Sequence, residues 1–233
     1  MNKKTIYRSM AGLVIAGFSL TSLTGCMEVT EPASDIATEG QIQNSPSSSE
    51  SFLMAMPAYF NKVSTSLVKD EWHFPFGYGA IMYIRDLMTG DLLQSTKNYA
   101  HHFYFWAQNK YQGDGYLFGQ YISTYYYNFI LTINNMVGAV NPENATDQQL
   151  GYLGAGLAFR AMCYIDLARM YEFLPNDRTS NINAEGNDVS GLTVPIVTAE
   201  MNQADALNNP RATHEKMKEF IESDLNKAEE YIK

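Results

Sequence analysis

The stretch Tyr116–Val140, YLFGQYISTYYYNFILTINNMVGAV, runs through NPENAT into Asp147–Glu172, DQQLGYLGAGLAFRAMCYIDLARMYE, and this pair decides the fold class. Leu117, Tyr121, Tyr125 or Ile122, Phe129, Ile133, Met136 and Val140 recur at helical spacing, so the first piece is a long helix with a repeating apolar face. Asn141-Pro142 ends it, because a proline disfavours helical backbone in the residue before it. Thr146 and Gln149 then stand three apart as a capping box for the second helix. A link this short forces the two helices to lie antiparallel against each other. Gly151, Gly154, Gly156, Ala158 and Ala161 leave room for close backbone approach. A helix-interior glycine costs about 1 kcal/mol relative to alanine, so three of them predict tight packing that compensates. Cys163 sits among apolar neighbours and is expected to be a small core residue rather than a nucleophile.

Helical signals continue on both sides. A first helix begins near Glu50, with Ser47 and Glu50 spaced as a capping box. Phe52, Met56, Tyr59 or Phe60, Val63 and Leu67 form its apolar face, and Pro57 predicts a kink. Glu71–Gly79 reads as a loop, and a short helix from about Gly79 to Met88 follows, with Gly90 as its stop. Leu92–Gly115 is ambiguous: His101–Lys110 reads as helix and Gly113-Asp114-Gly115 as a turn. Beyond the central pair, Pro175–Ser190 is a polar loop and Gly191–Val197 an extended piece. The last helix starts after Thr213 as N-cap. Its inward positions are Met217, Phe220, Ile221, Leu225, Ala228, Tyr231 and Ile232, with Asp224 turned outward. This stripe reaches Lys233 without a cap, so the sequence is expected to be the N-terminal part of a longer protein.

The N-terminus addresses the protein to an envelope. Lys3, Lys4 and Arg8 precede an apolar run, Met10–Leu20, and Leu23-Thr24-Gly25-Cys26 follows. The run is shorter than the roughly 20 residues a bilayer span needs, and the pattern is that of a removed export peptide. Residues 1–25 are therefore expected to be cleaved, leaving Cys26 as an acylated N-terminus anchored by more than one chain. Residues 26–49, rich in Ser, Glu, Asn and Pro, bury too little apolar surface to offset ordering and read as a tether. Residues 50–233 form the folded part, and the 45% of hydrophobic residues in the whole sequence is enough for a core. The signal removes basic side chains only, so the mature chain is more acidic than the −9 of the whole. That balance argues against nucleic acid, whose phosphates select clustered Lys and Arg. With Cys26 acylated, Cys163 has no cysteine left to pair with.

Aromatic content is unusual at 13%, with 16 Tyr, 12 Phe and 2 Trp. A core has little use for so many phenols unless their hydroxyls find partners, so much of the tyrosine is expected to lie half exposed.

Four features in order resemble the SusD/RagB family of outer-membrane nutrient-binding lipoproteins of Bacteroidetes. They are the lipobox at Cys26, the helix from Arg160-Ala161 through Tyr164, Leu167, Arg169 and Tyr171 to Pro175, the Gly191–Pro195 segment, and Pro210-Arg211-Ala212-Thr213 leading to Ile221, Asp224, Leu225 and Ala228. One departure is Glu172-Phe173-Leu174, where family members often carry Gly before the helix-closing Pro. The resemblance implies an all-α fold of tetratricopeptide-like helix pairs with long irregular loops, truncated to its N-terminal half. It also implies a protein on the outer membrane, facing the cell exterior, that captures an oligosaccharide, or in some members a peptide. The implied partner is a SusC-like TonB-dependent transporter, and no cofactor is implied.

Sugars present apolar C–H faces ringed by hydroxyls, so a binder needs flat aromatic platforms beside amide, carboxylate or guanidinium groups. Asp70–Tyr111 offers both. Trp106 and Asn109, one turn apart, would share a helix face; Trp72, Arg85 and Tyr111, with Tyr83 and Asp91, lie in the same region. Core packing is the competing reading of Trp106. His101-His102, being adjacent, make a poor metal pair, and Asn144-Ala145-Thr146 competes with Thr146's capping role. No nucleophile motif, phosphate loop or metal cluster appears. Carboxylates are numerous enough that an envelope glycosidase stays open as the alternative to a pure binder.

Overall fold

The computed structural model describes residues 47–61, 77–95, 104, 105, 108, 110, 116–173 and 180–232. All of them belong to one compact unit, Glu39–Lys233. The expected signal, Cys26, most of the tether, Trp72, His101-His102, Trp106, Asn109 and Tyr111 lie outside the described residues. Six helices are described: α1 (Ser48–Ala58), α2 (Tyr78–Thr89), α3 (Leu117–Ala139), α4 (Asp147–Tyr171), α5 (Gln203–Leu207) and α6 (His214–Tyr231). Among the described residues there is no strand, only three isolated bridges, so the all-α expectation holds.

Each helix end has a local cause. Ser47 precedes α1 in helical backbone and its side chain makes no capping bond, so the box expected with Glu50 does not form. Pro57 lies in the last turn of α1 and ends the helix rather than kinking it. The amides of Tyr59 and Phe60 fall back on the carbonyls of Met56 and Pro57. Gly90 closes α2 in the left-handed region, φ 89°, as its position predicts. The Thr146–Gln149 box forms in full: the Gln149 amide donates to Thr146 Oγ1 at 3.2 Å and the Thr146 amide to Gln149 Oε1 at 2.9 Å. Thr213 caps α6 by accepting from the Lys216 amide. The short helix α5, capped by Asn202, is not signalled by the sequence pattern.

The core lies where α1, α3, α4 and α6 meet, with Met56, Tyr121, Tyr126, Phe129, Ile133 and Leu167 fully enclosed. α3 and α4 pack together as their short link requires, but α4 is gripped chiefly by α6. Two of the three glycines explain how. A Cβ at Gly154 would stand 2.8 Å from Ile232 Cγ1 and 3.1 Å from the Ala228 carbonyl oxygen, so the bare backbone admits the end of α6. A Cβ at Gly156 would strike the Met136 methyl on α3, whereas one at Gly151 would meet nothing. Cys163 is fully buried, and burial pushes its thiol well above the ordinary range, consistent with a core role.

Two expectations are corrected. Asp224 points inward and is 3% exposed, while Leu225 is 43% exposed, because Asp224 has a buried arginine to meet. The described tyrosines are also more deeply placed than expected: Tyr59, Tyr121, Tyr125, Tyr126 and Tyr164 are buried. The hydroxyls of Tyr125 and Tyr164 reach the backbone carbonyls of Tyr59 and Val197, Tyr126 reaches Asp166 on α4, and Tyr59 accepts from Thr132 on α3.

Candidate functional site

Two buried carboxylates organise the interior. Arg160 Nε and Nη2 donate to Asp224 Oδ2 and Oδ1 at 2.7 and 2.8 Å, joining α4 to α6 through a bidentate pair. Its Nη1 donates to Asn134 Oδ1 on α3 at 2.8 Å, and its guanidinium lies 5.0 Å from the Phe220 ring centroid. Asn134 Nδ2 in turn donates to the Val197 carbonyl at 3.0 Å. The second centre is Asp166, which accepts from Arg85 Nη1 at 3.1 Å and from the Tyr78 and Tyr126 hydroxyls at 2.9 Å each. Burial, then the bond to Asp166, pushes the Tyr78 phenol up to about 12, and the same causes push Tyr126 higher still. Each carboxylate is thus held by an arginine and committed to joining helices.

The extended piece 191–197 is held by side chains where a sheet would use neighbouring strands. Main-chain bonds tie it at only a few points, including the Thr193 amide to the Ala212 carbonyl at 2.8 Å and the His214 amide to that of Gly191. Tyr127 donates to the Pro195 carbonyl at 2.7 Å, and Tyr164 both accepts from the Val197 amide and donates to its carbonyl. Arg211 donates to the carbonyls of Thr193, Leu192 and Tyr171. Thr193, Val194 and Pro195 of the segment wall one of two open cavities, and Ala199 and Glu200, just beyond it, wall the other. One, of about 290 Å³, is lined by Ser123, Tyr127, Tyr171, Val194, Pro195 and Arg211. Tyr127 and Tyr171 line it beside Arg211, whose Nε and Nη2 are committed to backbone carbonyls. The other, of about 460 Å³, lies between the end of α3, α4 and the last turns of α6, with Asn141, Pro142, Leu153, Glu200, Lys227 and Tyr231 among its walls. Both fall in or close to the roughly 300–1,000 Å³ typical of small-ligand pockets.

A solved structure of a SusD-like carbohydrate binding protein from Bacteroides vulgatus ATCC 8482 matches with a TM-score of 0.55 and 20% sequence identity, over 84% of this chain and 36% of that one. The fold is SusD-like. The chain thus spans about a third of that protein's length. No protein-family model and no curated protein sequence matches it.

On this SusD-like frame, Arg85 is the one residue of the predicted ligand set among the described residues. It sits on α2, half-buried, with one guanidinium nitrogen on Asp166 and in reach of Met82 Sδ at 3.6 Å. Tyr83 and Asp91, placed in the same region by sequence, are exposed, and Asp91 Oδ2 accepts from Thr89. Neither cavity was anticipated. Their walls come from residues far apart in sequence, and only Arg160 and Asp166, charged residues in the apolar middle of the helix, signal the network beneath them. Among the described residues no cluster of His, Cys, Asp and Glu could hold a metal ion.

Proposed function

We propose that this protein is a lipid-anchored lipoprotein of the outer membrane, facing the cell exterior, that binds oligosaccharides without altering them and passes them to a SusC-like TonB-dependent transporter. The observation that carries this reading is the conjunction of a lipobox ending at Cys26 with a SusD-like helical fold whose solved neighbour is a carbohydrate binder. The cavity walls support it, since they hold tyrosines, whose rings can serve as platforms for sugar C–H faces, among hydrogen-bonding groups. The Trp72, Arg85, Trp106, Asn109 and Tyr111 region is the further proposed glycan surface.

The test is calorimetry of the purified full-length protein against neutral oligosaccharides, with chromatography of each mixture afterwards. Binding with intact oligosaccharide supports capture; hydrolysis products replace it with the glycosidase reading, and affinity for peptides alone with a peptide receptor. Trp72→Ala with Trp106→Ala is expected to abolish glycan binding and leave the melting temperature nearly unchanged. A large stability loss makes these tryptophans core residues instead. In cells, Cys26→Ser is expected to release the protein from the membrane fraction, and retention there overturns the anchor.

A further inference from the structure

We draw no further inference here: the strongest candidate, the cavity of about 290 Å³ beside the 191–197 segment where Arg211 lines the wall, carries nothing, because the Nε and Nη2 of that arginine already hold the carbonyls of Thr193, Leu192 and Tyr171 and nothing in the structure shows what meets its remaining nitrogen.

Discussion

At the scale of single residues, the interior depends on two carboxylates whose worth comes from what they leave behind if removed. Asp224→Ala strands the Arg160 guanidinium, with a side chain 7% exposed, among apolar groups. Loss of about 3–5 kcal/mol is expected in urea unfolding, the usual cost of breaking a buried pair from one side. Replacing the pair together, Arg160→Met with Asp224→Leu, is expected to recover most of that loss, since no charge is then left unpaired. A double variant no better than Asp224→Ala would mean that the Arg160–Asn134 bond, and not the ion pair, dominates. Asp166 is a hub of another kind: its three donors come from α2 and α3, so it places Arg85 as well as burying two phenols.

At the scale of elements, the glycines of α4 look alike in sequence and differ in what faces them. Gly151→Ala meets open space and gains helix propensity, so stability is expected to rise by up to about 1 kcal/mol. Gly154→Ala places a methyl against Ile232 and the Ala228 backbone, so the same exchange is expected to lower stability and loosen α6. Thermal melts of the two variants, moving in opposite directions, check the assignment of α6 as the chief partner of α4. Equal shifts would refute it. Thr146→Ala removes one arm of the capping box and is expected to cost about 1 kcal/mol, read by the same melts.

At the scale of the whole molecule, phenol hydroxyls bind helices to irregular chain and to one another. Tyr125, Tyr127 and Tyr164 reach the carbonyls of Tyr59, Pro195 and Val197, and Tyr126 reaches Asp166. Burial raises these groups, Tyr78 and Tyr121 to about 12, against an ordinary value near 10 in the unfolded chain. A raised folded value means that the unfolded chain loses protons first as pH climbs. The tyrosine contribution is therefore complete below about pH 10 and is lost as pH rises from there through about 12. Denaturant midpoints are expected to hold up to about pH 9 and fall steeply above about pH 10, as tyrosinate absorbance rises. Tyrosinate signal in excess of what the exposed tyrosines account for, appearing before any loss of stability, would show the buried phenols to be accessible.

Sequence by itself determined what depends on near neighbours along the chain. Helical periodicity marked α3 and α4, Gly90 marked the end of α2, and Thr146 with Gln149 marked the start of α4, because caps and periodic faces are set within a few residues. The order of four short motifs was enough to suggest the SusD-like fold. Only the tertiary structure decided which way Asp224 and Leu225 face, since an amphipathic pattern assigns a carboxylate to solvent until a buried arginine on another helix is seen to meet it. It likewise decided that the tyrosines turn inward, because their acceptors are carbonyls and a carboxylate tens of residues away, and that the walls of the larger cavity assemble from α3, α4, α6 and the 199–200 turn. Such groups owe their energies to distance in space, and spacing along the chain carries no record of it.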